Sequence, residues 1–144
     1  MTPAIASGAV LVMPDDRIEV PRDIEERVRE LCLALPEVTV RVDESRSESR
    51  SAARSFDIRR RSFCLLVAKV RWSGKLVSLV VLRTDPDERE ALLSMGQPFF
   101  ATPRTRRDRI GVLLTKDTDW GELRELVTES YRILAPKKLS AQLD

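Results

Sequence analysis

Residues Asp119–Leu143, DWGELRELVTESYRILAPKKLSAQL, carry the reading that decides the fold. Trp120, Leu123, Val127, Tyr131 and Leu134 recur at i, i+3, i+7, i+11 and i+14, which is one apolar stripe along a helix of about four turns. Asp119 stands where a side-chain cap belongs, Glu122 three residues on can reach back, and Pro136 stops the helix.

Upstream, Asp23 and Glu26 form a capping-box pattern. The apolar positions Ile24, Val28, Leu31, Cys32 and Leu35 then predict a first helix that ends before Pro36. Val38, Val40 and Val42 alternate with polar residues as a short strand, and SRSESRSAARS, Ser45 to Ser55, reads as a loop. Strands are expected at Arg54–Ile58, Ser62–Val70 and Lys75–Arg83, joined by turns at Arg59–Arg61 and Arg71–Lys75. Asp85-Pro86 starts a second helix that stops near Gly96. Two further extended segments, Pro98–Ala101 and Ile110–Thr115, precede the last helix. The reading is a single α+β domain over residues 21–144, in the order α-β-β-β-β-α-β-β-α, with residues 1–20 as an N-terminal extension. Its antiparallel sheet has five to six strands, with helices mainly on one face.

Ser62–Val70 is apolar on both faces, Phe63, Leu65 and Val67 on one and Cys64, Leu66, Ala68 and Val70 on the other. A one-sided helix layer leaves one of these faces to be covered by the N-terminal segment, by a second subunit or partner, or by the sheet's own long side chains.

The C-terminal helix, LCLALPEV at Leu31–Val38 and QPFFATP at Gln97–Pro103 together resemble the MmcQ/YjbR family over about Asp23–Leu143. The resemblance implies a frataxin-like (CyaY-like) α/β fold in a bacterial protein and a double-wing DNA-binding motif, with no catalytic set to carry over. After QPFFATP this chain has Thr105, Arg106, Arg107 and Asp108, where relatives commonly have a histidine-tyrosine or glycine-rich turn.

The chain of 144 residues contains no histidine, which removes Ser-His and Cys-His nucleophiles and the commonest zinc ligand. Cys32 and Cys64 form no C-x-x-C and fall on apolar positions, so both are expected to be buried, reduced thiols. Met1–Val12 lacks a basic start and is too short to span a bilayer. The expectation is a cytoplasmic, non-enzymatic protein with no membrane association, no cofactor and no metal. Asp15, Asp16, Glu19, Asp23, Glu25, Glu26 and Glu30 could make a frataxin-like acidic ridge, but the interleaved arginines read as a solvated helix face with ion pairs.

Net charge is only +2, yet residues 1–57 carry −4 and residues 58–144 carry +6. Successive hairpin turns lie at opposite ends of the strand they share. The turn at Arg59–Arg61 therefore falls about 30 Å from the one at Arg71–Lys75, and beside the segment Pro103–Arg109. Arg59, Arg60, Arg61, Arg104, Arg106, Arg107 and Arg109 are thus expected at one end of the sheet, with only Asp108 among them. Paired arginine-tipped hairpins suit phosphate, because the guanidinium fork grips its oxygens bidentately. The expected function is weak, largely sequence-independent binding of duplex DNA. The alternative is a protein-interaction or dimerisation module using the apolar sheet face, with the arginines as solvated turns that discourage edge pairing.

Overall fold

The computed structural model describes residues 22–43, 52–72, 74–101 and 107–143. The elements run α1 (Arg22–Leu33), β1 (Thr39–Asp43), β2 (Ala52–Ile58), β3 (Arg61–Trp72), β4 (Lys75–Arg83), α2 (Pro86–Ser94), β5 (Phe99–Phe100), β6 (Arg109–Leu114), α3 (Trp120–Leu134) and a short α4 (Lys137–Ser140). The six strands form one antiparallel sheet in the order β1-β2-β3-β4-β6-β5. This is the α+β domain that the sequence predicts, and the chain order of its main elements is the expected one.

Both later helices start at aspartate caps. The Asp85 carboxylate accepts from the N–H groups of Asp87 and Glu88, and that of Asp119 accepts from Glu122 N–H at 3.1 Å. Leu123, Val127 and Tyr131 of α3 are buried against Ile24, Val28 and Cys32 of α1 and the inward residues of the strands, making the main core on one face of the sheet. Tyr131 anchors this layer at its rim: its ring meets Phe63 edge-on with centroids 5.5 Å apart, and its hydroxyl donates to the carbonyl of Pro36.

Two details of the sheet depart from the sequence reading. β2 begins at Ala52, two residues before the expected Arg54, so Ala52 and Ala53 are strand rather than loop. Two small side chains give them no strand signature, but the long β3 offers them partners out to Ala68. On β3 the pairing steps from Phe56↔Cys64 to Asp57↔Ser62, which leaves Phe63 as the extra residue of a bulge. Phe63 therefore packs with Cys64 and Leu66 in the main core and does not share a face with Leu65 and Val67.

The second face holds its own cluster, Ala53, Val67, Leu79 and Leu113, with Leu65, Val77, Val81 and Phe100 packed around it, all of them on strands. Val67 is 5% and Leu79 7% exposed, so the centre of this face is buried within the single chain. The N-terminal extension, its boundary near residue 20 and residues 45–51 of the expected loop Ser45–Ser55 lie outside the described residues. The pair Phe100↔Gly111 closes the β5 edge, where a Cβ on Gly111 would sit 2.3 Å from the Phe100 ring. Only glycine lets that ring lie over β6.

Candidate functional site

The sheet register tests the predicted juxtaposition directly. Ile58 pairs with Arg61, Cys64 with Leu82, and Arg83 with Arg109, so the β2–β3 turn, the end of β4 and the start of β6 lie at one end of the sheet. β6 is two strands from β3, a lateral separation of about 10 Å. The β3–β4 turn is at the opposite end, with Trp72 paired to Lys75. Arg59, Arg60, Arg61, Arg107 and Arg109 are therefore brought together, while Arg104 and Arg106 lie outside the described residues.

The tip of the β2–β3 hairpin is a two-residue turn in which Arg59 and Arg60 have φ of 53° and 69°. Two successive left-handed residues match the right-handed twist of the strands, and Asn-Gly is the usual choice there. Side chains with a Cβ cost about 1 kcal/mol or more in that region. Arginine at both positions is a departure that the fold does not require.

The arginines divide by their partners. Arg59 reaches Glu37 at 3.2 Å, and both side chains are about half exposed. Arg109 holds Asp108 at 2.8 Å with its own side chain only 19% exposed, and Arg83 stands 3.8 Å from the same carboxylate. Burial works against the charge of Asp108. The Arg109 charge and hydrogen bond outweigh it, with Arg83 behind them, and hold that carboxyl below its usual pKa. Asp57 is likewise taken up, accepting from Arg41 at 3.1 Å and from Ser55. Arg60, Arg61 and Arg107 are exposed and have no side-chain partner among the described residues. They are the guanidiniums of this end that stay open to a ligand.

The end is less purely basic than the sequence implied. The N–H of Thr84 donates to the carbonyl of Asp108, so α2 starts beside β6 and brings Asp85, Asp87 and Glu88 to this end as well. Among the described residues, the exposed arginines of this end without a side-chain partner are those of the hairpin tip, Arg60 and Arg61, and Arg107.

Sequence reasoning missed the residues that position this end. Arg89 of α2 is 5% exposed, and its Nε donates to the carbonyl of Arg109 at 2.8 Å, which ties the start of β6 to the helix. Its signal was present: Arg89, Leu92 and Leu93 share the inward stripe of α2. Ser130 of α3 binds the ends of β3 and β4 together, accepting from Arg83 N–H and donating to the Phe63 carbonyl.

No group of three or more histidine, cysteine, aspartate or glutamate side chains converges in a metal-binding arrangement among the described residues. Of the acidic-ridge candidates, Asp15, Asp16 and Glu19 lie outside them. Among the described residues, no helix is long and apolar enough to cross a membrane. No curated protein and no solved structure matches the chain. The sequence model of one family, YjbR, matches residues 33–133, from the end of α1 to the last turn of α3, and the chain belongs to the YjbR family.

Proposed function

We propose that this protein is a non-catalytic, cytoplasmic DNA-binding domain that contacts duplex phosphates with the arginine-tipped hairpin and the neighbouring Arg104–Arg109 segment as two wings. The observation that carries the reading is the turn itself: two arginines held in left-handed backbone, with Arg60 and Arg61 exposed beside Arg107. Strain kept at a surface turn in preference to a relaxed Asn-Gly points to selection on the side chains. Guanidinium forks at a hairpin tip suit phosphate oxygens and carry no base-reading pattern, so binding is weak and indifferent to sequence. The acidic start of α2 repels phosphate on its side and limits the footprint to the wings. The competing interaction-module reading loses support because the centre of the second sheet face is already buried.

The test is an anisotropy titration of a labelled duplex over a salt series. Three phosphates neutralised by Arg60, Arg61 and Arg107 give a slope of log K against log salt near about −2.7. Arg60→Ala with Arg61→Ala flattens the slope by about two units, whereas Arg71→Ala with Lys75→Ala at the opposite end leaves it unchanged. Equal losses from the two pairs, or no binding at low salt, overturns the reading.

A further inference from the structure

Away from the wings, a groove of about 550 Å³ runs between α1 and α3. Its floor is apolar, made by Leu31, Leu35 and Leu143, which pack on the main core. Its walls are basic: Arg27, Arg124 and Arg132 face a single acid, Glu30. Arg27 lies 4.8 Å over the ring of Trp120 at one mouth. Arg132 is held at the other by Glu129 at 3.5 Å and by the Ser140 carbonyl. Arg124 is exposed between them.

We propose that this groove docks an acidic amphipathic helix of a partner protein. The lining positions Gly121, Arg124, Thr128 and Arg132 follow one face of α3 over about three turns, roughly 17 Å, the length of a twelve-residue helix. A leucine floor between arginine rims complements a helix that presents apolar residues at i, i+3, i+4 and i+7 with carboxylates on either flank. The opposed charges select acidic over basic helices. Gly121 leaves room at the rim: a Cβ there would meet nothing closer than the Asp119 carboxylate, at 3.5 Å. The groove is open, which suits a peptide rather than an enclosed small molecule. This surface is separate from the wing end, and the inference does not rest on DNA binding.

The test uses the full chain with Trp72→Phe, so that Trp120 is the one remaining tryptophan and its emission reports the groove. The probe is a twelve-residue peptide with leucines at the four spaced positions and glutamates elsewhere; the control replaces the glutamates with lysines. The glutamate peptide shifts Trp120 emission saturably, and the lysine peptide binds at least about tenfold more weakly. Arg124→Glu and Gly121→Gln each weaken the glutamate peptide about tenfold without lowering the melting temperature, since Arg124 is exposed and glutamine favours the helix over glycine. Equal binding of the two peptides, no saturable shift with the glutamate peptide, or saturation instead by duplex DNA or by phosphatidylglycerol vesicles overturns the proposal.

Discussion

The backbone N–H of Arg83 donates to the hydroxyl of Ser130 at 2.8 Å, and that hydroxyl in turn donates a hydrogen bond to the carbonyl of Phe63. The β3–β4 register runs to Cys64↔Leu82, and beyond it a helix side chain takes the place of a ladder bond. Ser130→Ala leaves both backbone groups buried without this partner. The expected loss is about 1–3 kcal/mol, read from the urea midpoint at unchanged slope. A change below about 0.5 kcal/mol shows that the bridge does not hold the strand ends.

Arg59→Asn with Arg60→Gly puts the preferred residues into the left-handed turn. The double variant is expected to gain about 1 kcal/mol, seen as a higher melting temperature, while its affinity for duplex DNA falls. A stability gain with unchanged DNA affinity would separate the turn from the wing function. A loss of stability would mean that the contact of Arg59 with Glu37 outweighs the backbone strain.

Asp108 gives the wing end a pH dependence. Its pKa in the folded state lies below the unfolded value of about 3.9, so its contribution is fully present above that value and is lost as pH falls through the folded pKa. The side chain is 48% exposed, and solvent screening keeps the effect under about 1 kcal/mol. Asp108→Asn should therefore be less stable than the parent by that margin at pH 7 and converge with it as the pH falls through the lowered pKa of the folded state. Parallel stability curves over the whole range would show the ion pair to be inert.

Cys32 and Cys64 are both fully buried in the main core. The hydrogen bond that the Cys32 thiol makes to Cys64, then burial, push that thiol well above the ordinary range. A maleimide probe should label neither cysteine in native protein at pH 8 and both after denaturation. Stoichiometric labelling without denaturant would contradict the packing of α1 on β3.

Local signals made much of this fold legible. Asp85 and Asp119 with their following residues write the helix starts, and period-3.6 stripes write the buried faces of α1 and α3. The placement of Arg107 and Arg109 at the same end of the sheet as the β2–β3 turn was legible too, because antiparallel connectivity alone dictates which turns share an end. What stayed hidden depends on partners distant in sequence. Ala52 and Ala53 become strand only because β3 is long enough to pair with them, and Arg109 is withdrawn from solvent by Asp108 and Arg89. The acidic start of α2 could have been placed beside the wings from the same connectivity, since it follows β4 by two residues.

The bulge at Phe63 also bears on how this molecule can vary. It absorbs a one-residue slip in the in-and-out alternation at the point where the wing leaves the sheet. Residues 59–61 at the tip are thereby relieved of keeping step with the buried rows of β3. Tip sequences of different charge can be exchanged there at little risk to the interior, while a deletion on the other side of Phe63 would turn Leu66 outward and Val67 inward. The hairpin tip is a replaceable terminal fitted to a fixed socket, and its charge can change without altering the architecture beneath it.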